Sequence, residues 1–204
     1  MKRMILVTPN ASLDVLSKYL DGEIIGLDEG IDIARGVGAR ISLAISSFKN
    51  VDLQHVLTFL PKEKVVRYSE NNGENVNLKV IDFLFSQGAD EVILLDKLDS
   101  GFKHYREILL TLKAAKGMVS FQDDNNFINY YAKGSHIISK QGFDRFYVVG
   151  FPTAVISMEH VSTPVRNARL TFTDTKAIDN TLIERVAVLK VDEGGVLLVL
   201  AKDA

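Results

Sequence analysis

The first half of the chain alternates short aliphatic runs with helix-like patterns, and this alternation restricts the fold more than any other feature. Strand-like runs occur at residues 4–7, 23–27, 40–45, 64–67 and 91–95. Helical patterns occur at residues 12–20, 30–37, 52–59, 74–86 and 102–115. Strand, helix and strand in succession favour a parallel sheet with helices on its faces. We therefore predict an α/β domain over residues 1–115.

The second half of the chain has a different pattern. From about Lys116, short runs of Val, Ile, Phe and Tyr are separated by polar and glycine-containing turns, with no convincing helical period. Further strand-like runs lie at 167–172, 182–191 and 196–200, and the Asp-Glu-Gly-Gly stretch at 192–195 is a hairpin signal between the last two. The pattern predicts an antiparallel all-β domain over residues 116–204.

Composition excludes several classes of protein. The 204 residues are 47% hydrophobic, which suffices for two small cores, and 24 basic residues nearly balance 26 acidic ones. We therefore expect no nucleic-acid partner and no membrane partner. The chain has no cysteine, which excludes disulfides and cysteine-based metal sites and agrees with an expected cytoplasmic location.

Two loops after predicted strands carry candidate ligand-binding residues. Ligands of parallel sheets usually bind beyond the carboxyl ends of the strands. Asp28 and Gly30 follow the second strand, and Ser46 and Lys49 follow the third. A helix cap explains Asp28 as well as ligand binding does, and capping is the favoured explanation for the serines at 46 and 47.

Amides are concentrated where the fourth helical pattern begins. Asn72 and Asn75 lie three residues apart, which places them on one face of the first helical turn. A turn and an N-cap explain one or two of these amides. They explain Asn77 poorly, because Asn has no advantage inside a helix.

A third candidate loop opens the fifth helical pattern. Lys103 and His104 follow Gly101, a combination that suits phosphate at a helix N-terminus. A single histidine such as His104 is more often structural than catalytic. The sequence therefore leaves its role open.

These loops, in this order, resemble the motifs of the thiamine pyrophosphokinase (thiamine diphosphokinase) family over almost the whole chain. The family's DxG element matches Asp28 and Gly30, and its GDFDS element corresponds to Ser-Ser-Phe-Lys-Asn at 46–50. Its DxxDxE run and its GxRxDH element fall on residues 72–77 and 99–104. A Ser-Asn pair in the family's β domain leaves Asn180 as a match.

The resemblance implies a Rossmann-like N-terminal domain of the nucleotide-binding type and a C-terminal β-sandwich of the thiamine-binding type. It further implies a homodimer that transfers a pyrophosphoryl group from ATP to thiamine with magnesium. Six of the seven acidic motif positions, however, lack a carboxylate here: Ser47, Lys49, Asn72, Asn75, Asn77 and Lys103. Amides and lysines are poor magnesium ligands, so the motifs predict a degenerate active site with no expected cofactor and no metal.

Three functions follow from these departures. The first is a catalytically degenerate, dimeric binding protein that holds a nucleotide, a thiamine-like molecule or another anion through Lys49 and Lys103. The second is an active thiamine diphosphokinase, using ATP and Mg²⁺, whose metal ligands are relocated to Asp96, Asp99 or Asp179. The third is a dimeric interaction protein with no small-molecule ligand.

Overall fold

The computed structural model of the chain describes residues 1–69, 74–98, 101–140, 142–143, 145–173 and 178–202. The chain divides into two compact units, Met1–Asp124 and Asn125–Ala204. The first unit combines a parallel sheet with helices, and the second consists of antiparallel strands. The predicted combination of an α/β part and an antiparallel part is therefore confirmed.

The first unit is organised around parallel strands whose order reverses at one point. Within its described residues, six strands pair in the order β4-β3-β2-β1-β5-β6, and every pair is parallel. The chain runs outward from β1 to β4 and then returns to place β5 on the other side of β1. A reversal of this kind leaves a crevice between the carboxyl ends of the two neighbouring strands. The strands are β1 (Arg3–Val7), β2 (Glu23–Leu27), β3 (Ile41–Ser46), β4 (Val65–Arg67), β5 (Glu91–Leu95) and β6 (Met118–Gln122).

Helices connect the parallel strands, as the alternating pattern predicts. Two short 3₁₀ turns, Ser17–Tyr19 and Lys62–Lys64, precede β2 and β4. No helix in the described part of the chain is long and apolar enough to cross a membrane. The helices are α1 (Leu13–Leu16), α2 (Gly30–Gly36), α3 (Leu53–Leu57), α4 (Val76–Ser86) and α5 (Phe102–Ala114).

Apolar side chains cover both faces of the parallel sheet. Ile5 and Val7 point to one face, where they belong to a core that includes Leu16 of α1, Ile31 of α2 and Val56 of α3. Their neighbours in β1 are equally buried and point to the opposite face, because side chains alternate along a strand. Helix α4 lies against β5, and helix α5 lies against β6. Burial on both faces explains why the strands of this sheet are almost uniformly aliphatic.

Helix α2 begins in close contact with the end of β1. A Cβ atom added to Gly30 would lie 2.1 Å from the carbonyl oxygen of Val7. Only glycine therefore allows the loop after β2 to pass directly over the end of β1. This close approach positions Asp28, two residues earlier, at the carboxyl edge of the sheet.

The second unit is a sheet of long antiparallel strands with its own core. Strand β8 pairs with β11 along one edge and with β10 and then β9 along the other, and β11 also pairs with β7. One apolar cluster, which includes Phe146, Leu189 and Leu198, fills the core of this unit. The described residues of the unit include no helix. Its strands are β7 (Asn126–Ser139), β8 (Arg145–Glu159), β9 (Val165–Thr171), β10 (Ile178–Thr181) and β11 (Val186–Ala201).

The predicted hairpin at residues 192–195 is wrong. Residues on both sides of it form the single strand β11, whose pairing with β7 shifts register between Val191 and Gly195. Gly194 has a φ of +70°, and a Cβ there would lie 2.0 Å from the carbonyl oxygen of Thr153 in β8. The glycines therefore form a β-bulge that packs closely against a neighbouring strand. Because a β-bulge and a hairpin turn can both be rich in glycine, the sequence pattern does not distinguish them.

The structure also places Met118–Gln122 differently from the sequence pattern. The pattern groups these residues with the antiparallel half, but they pair with β5 as a parallel strand of the first unit. A short Val- and Phe-containing strand looks the same in either kind of sheet, so periodicity gives no means of assigning it.

We expect Gly30→Ala to lower the free energy of unfolding by about 1–3 kcal/mol, because the new methyl group overlaps the Val7 carbonyl. Gly36→Ala is the matched control in the same helix, since a Cβ there meets no atom within 4 Å. The control should be neutral or should stabilise the protein by up to about 1 kcal/mol. Urea denaturation of both variants measures the difference. Equal stabilities would show that the close approach at Gly30 does not constrain the fold.

Candidate functional site

A cleft of about 290 Å³ lies at the carboxyl edge of the parallel sheet, where the strand order reverses. Residues that follow β1, β2, β4 and β5 meet there with the first turns of α4 and α5. The position agrees with the expectation that loops after the strands form the site. The lining residues are Thr8, Pro9, Asn10, Leu27, Asp28, Tyr68, Glu74, Asn75, Val76, Asn77, Asp96, Lys103, His104 and Glu107.

Asp28 connects the loops that follow β2, β3 and β4. One of its carboxylate oxygens accepts hydrogen bonds from the Ser46 hydroxyl at 2.8 Å and from the Ser47 backbone N–H at 3.2 Å. The other accepts a hydrogen bond from the Tyr68 hydroxyl at 2.6 Å. The residue has a φ of +48°, a conformation that Asp tolerates better than most residues. Both oxygens are therefore engaged by the protein itself.

The loop after β3 is fixed by internal hydrogen bonds. The Ser46 side chain is buried, and its hydroxyl also accepts a hydrogen bond from the Phe48 backbone N–H at 2.9 Å. Asn50 donates to the Glu29 carboxylate at 3.0 Å, which joins this loop to the one after β2. Lys49 is exposed and is absent from the cleft lining. In this loop Ser46 and Ser47 donate hydrogen bonds to Asp28, whereas Lys49 is not among the lining residues.

Asn75 is the N-cap of α4, as the sequence suggests, but its amide has a second role. Its oxygen accepts a hydrogen bond from the Leu78 backbone N–H at 3.0 Å. Its NH₂ group donates to the Thr111 hydroxyl at 2.8 Å and to the Glu107 carbonyl at 3.3 Å, both in α5. A carboxylate can cap a helix equally well but cannot donate. The amide therefore connects α4 to α5 in a way that Asp cannot reproduce.

Asn77 also lines the cleft, but the structure gives it a different environment. Its side chain is half-buried in the second position of α4, and within the described residues it makes no hydrogen bond. Among the described residues, no group competes with a ligand for its amide. Asn72, the third amide of the pattern, lies outside the described residues.

Asp96 and His104 form a pair at the end of β5. The Asp96 side chain is 1% exposed, and one of its oxygens lies 2.9 Å from Nε2 of His104. The same oxygen accepts a hydrogen bond from the Lys97 backbone N–H at 2.8 Å. The pair anchors the first turn of α5 to the sheet, which is the structural role that a single histidine most often has. Asp99, the alternative metal ligand in this loop, lies outside the described residues.

Lys103 lies at the rim of the cleft and is mostly solvated. Its side chain is 91% exposed, and its ammonium lies 3.9 Å from the carboxylate of Glu107, one turn further along α5. A second ion pair at the rim joins Glu74 to Lys79. Exposed pairs of this kind contribute little stability, so they leave the charges available to a ligand.

The described cleft residues include no cluster of side chains that would by itself hold a magnesium ion. Magnesium requires near-octahedral oxygen ligands, usually including carboxylates whose oxygens are free to coordinate it. In the described ranges, no three His, Asp or Glu side chains are grouped closely enough to hold a metal. The two innermost carboxylates, Asp28 and Asp96, instead accept hydrogen bonds from the protein.

The second unit contains the last two predicted site residues. Asn180 is 2% exposed, and its oxygen accepts hydrogen bonds from the Ser162 hydroxyl at 2.7 Å and from the Thr163 N–H at 2.9 Å. Its NH₂ group donates to the Thr163 carbonyl at 2.8 Å, so its hydrogen bonds join β10 to the loop before β9. Asp179 forms an ion pair with Arg145 at 3.4 Å.

Sequence reasoning misses two parts of the cleft. Tyr68 follows β4, and Thr8 and Asn10 follow β1, so both segments obey the rule that pointed to Asp28. Tyr68, Thr8 and Asn10 carry no charge, which is why the sequence does not single them out. No pattern in the sequence indicates that the Tyr68 hydroxyl donates the third hydrogen bond to Asp28.

Comparison with known proteins identifies the fold. The structure is similar to a thiamine pyrophosphokinase from Bacillus subtilis, with a TM-score of 0.83 and 18% sequence identity over 98% of this chain and 100% of the other. It is similar to one from Geobacillus thermodenitrificans, with a TM-score of 0.77 and 16% identity over 99% and 98% of the two chains. It is also similar to one from Candida albicans, with a TM-score of 0.77 and 12% identity over 98% of this chain and 89% of the other.

No protein-family model matches the sequence, and no curated protein matches it. The likeness to solved structures nevertheless extends over nearly the whole chain. The chain therefore has the fold of the thiamine pyrophosphokinases, and the resemblance drawn from its loops is confirmed at that level.

We expect Asn75→Asp to be less stable than Asn77→Asp by about 1 kcal/mol, as measured by urea denaturation. Both changes place a carboxylate in the first turn of α4, where the helix dipole favours it, so this benefit cancels in the comparison. Only Asn75→Asp removes the donor to Glu107 and Thr111. Equal stabilities of the two variants would show that the Asn75 amide is not required to join α4 to α5.

Proposed function

We propose that this chain is a thiamine pyrophosphokinase-family protein that has lost pyrophosphoryl transfer and uses the cleft of its first unit to bind a small molecule. The fold and the position of the cleft at the reversal of strand order support family membership. The observation that carries the loss of catalysis is the engagement of Asp28, the one acidic motif residue retained. Its two oxygens receive three hydrogen bonds from the loops around it.

The chemistry of the family explains why this engagement matters. Pyrophosphoryl transfer forms little covalent contact with the enzyme and depends on cations that bridge and neutralise the phosphate oxygens. Magnesium would supply that charge neutralisation when bound. The described cleft residues include no grouped set of free carboxylates to hold it. What these residues can do is orient a ligand through Asn77 and the exposed charges at the rim.

The charges of the cleft favour a thiamine-like cation over a nucleotide. Among the described residues, four carboxylates line the cleft, those of Asp28, Glu74, Asp96 and Glu107, against the ammonium of Lys103 and the imidazole of His104. Lys49, the second cation on which anion binding was expected to depend, lies outside the lining. An anion would therefore meet mainly like charge, whereas the thiazolium ring of thiamine carries a positive charge.

The family assignment extends to features beyond the cleft. We propose that the first unit is Rossmann-like, on the basis of its strand order, and that the second folds into a β-sandwich. The register shifts in β11 support the sandwich, because bulges bend long strands. A homodimer and a cytoplasmic location remain part of the proposal through the resemblance.

One observation favours the active enzyme as a second candidate. Asp96 lies at the end of β5 and lines the cleft, which is the position that a relocated metal ligand would need. In this alternative, Asp96 would release His104 and Lys97 to coordinate the metal. The buried pair with His104 makes that exchange costly, because it would leave the imidazole without its partner.

We expect thiamine to bind the metal-free protein more tightly than ATP, as measured by calorimetry in EDTA. Glu107→Gln should weaken thiamine binding about threefold, the range expected for an exposed charge pair. Lys103→Ala, one turn away, is the matched control of opposite charge and should leave thiamine binding unchanged or stronger. Tighter binding of ATP, weakened by Lys103→Ala, would instead identify the cleft as an anion site.

A further inference from the structure

A second and larger cleft lies at the amino edge of the parallel sheet, away from the candidate site. Its volume is about 420 Å³, and it lies where β3 begins and the 3₁₀ turn before β4 ends. It is formed entirely within the first unit. The lining residues are Arg35, Gly38, Ala39, Arg40, Ile41, Phe59, Leu60, Pro61 and Lys64.

The charge of this cleft is uniformly positive. Arg35, Arg40 and Lys64 line it, and no acidic residue of the described ranges does. Within the described part of the chain, none of these three cations has a carboxylate oxygen within 4.0 Å. The nearest acidic residues along the chain, Asp32 and Glu63, are not part of the lining. Three cations without carboxylate partners around one concave surface repel one another unless an anion is present.

Arg35 is held in place by aromatic side chains. Its guanidinium carbon lies 4.0 Å from the centre of the Phe59 ring. One of its terminal nitrogens lies 2.7 Å from Nε2 of His55, which must accept because arginine only donates. The His55 and Phe59 rings pack edge to face, with centroids 5.9 Å apart. A guanidinium restrained in this way loses little conformational entropy when it binds an anion.

At the end of α2, the carbonyls of Ala34 and Arg35 accept hydrogen bonds from the turn that follows. Gly38 has a φ of +76° and donates its N–H to the Arg35 carbonyl at 2.9 Å. Ala39 donates its N–H to the Ala34 carbonyl at 3.0 Å. These two bonds form a Schellman motif, which satisfies carbonyls that would otherwise point out of the helix end. Nothing lies within 4 Å of the position of a Gly38 Cβ, so the turn leaves the cleft open.

An apolar wall faces the cations. Ile41, Phe59, Leu60 and Pro61 supply it, and Phe59 presents an aromatic ring. A cleft that combines charged and apolar walls suits a ligand with a charged group and an apolar or aromatic part. Arginine side chains are particularly suited to phosphate, which they bind with paired, charge-assisted hydrogen bonds.

We propose that this cleft binds a small organic phosphate, with the phosphate group between Arg40, Lys64 and Arg35 and the organic part against the apolar wall. A nucleoside monophosphate is the representative ligand. The site is separate from the cleft at the carboxyl edge and does not depend on the function proposed for that cleft. It gives the fold an anion site that neither the motif residues nor the strand-end loops indicate.

The test uses the full-length protein in metal-free buffer, with AMP and inorganic phosphate as probes and backbone amide NMR shifts as the readout. AMP should shift the amides of Gly38, Ala39 and Leu60 and should bind more tightly than inorganic phosphate. Raising the salt concentration should weaken the binding, because the cations are exposed. Saturable shifts at these three amides support the proposal. Their absence at millimolar AMP, or equal affinity for the two probes, overturns it.

Charge-removing variants separate this site from the rest of the surface. Arg40→Gln and Lys64→Gln should each weaken AMP binding about tenfold, because each removes one cation from the phosphate site. Arg166→Gln is the matched control, since it removes an exposed arginine from the second unit. Lys103→Ala, at the other cleft, should also leave these shifts unchanged. Equal affinities for AMP in Arg40→Gln and Arg166→Gln would overturn the proposal.

Discussion

The carboxylate of Asp28 is the interaction on which the candidate site depends. It follows β2, accepts hydrogen bonds from the loop after β3 and from Tyr68 after β4, and thereby fixes three strand ends relative to one another. Gly30 makes this arrangement possible, because it lets the same loop pass within contact of the end of β1. A carboxylate has a limited number of acceptor positions. The acceptor positions of Asp28 that hold the loops together are not available to a metal ion. Asp28 therefore connects the rigidity of the cleft with the proposed loss of magnesium-dependent catalysis.

The amides of α4 extend the same argument. An Asn in place of an Asp keeps the shape of the side chain and its capping oxygen but replaces an acceptor with a donor. Asn75 uses that donor to reach α5, so its amide joins the two helices. Asn77 makes no such bond among the described residues and remains at the cleft surface. The two amides therefore have different roles in this structure.

The sequence predicts the elements of this protein better than their boundaries and contacts. Alternating aliphatic and amphipathic runs identify the parallel sheet, and the same rule of strand-end loops locates Asp28, Ser46, Asn75 and His104 near one edge. The bulge at residues 192–195 and the assignment of β6 depend on which strand is the neighbour, and local composition does not encode that. The bonds of Asp28 to Tyr68 and of Asp96 to His104 join residues 40 and 8 positions apart. The Arg35–Phe59 contact is similarly distant in sequence, so the amino-edge cleft emerges only from the structure.

The most direct measurement of the central claim is the formation of AMP from ATP and thiamine by the purified protein, with and without magnesium. The account predicts no magnesium-dependent AMP above the rate without protein, because the carboxylates of Asp28 and Asp96 already accept hydrogen bonds from the protein. AMP formation that requires magnesium, accompanied by thiamine diphosphate and abolished by Asp96→Asn, would contradict the account. It would show that Asp96 exchanges its bonds to His104 and Lys97 for a metal ion.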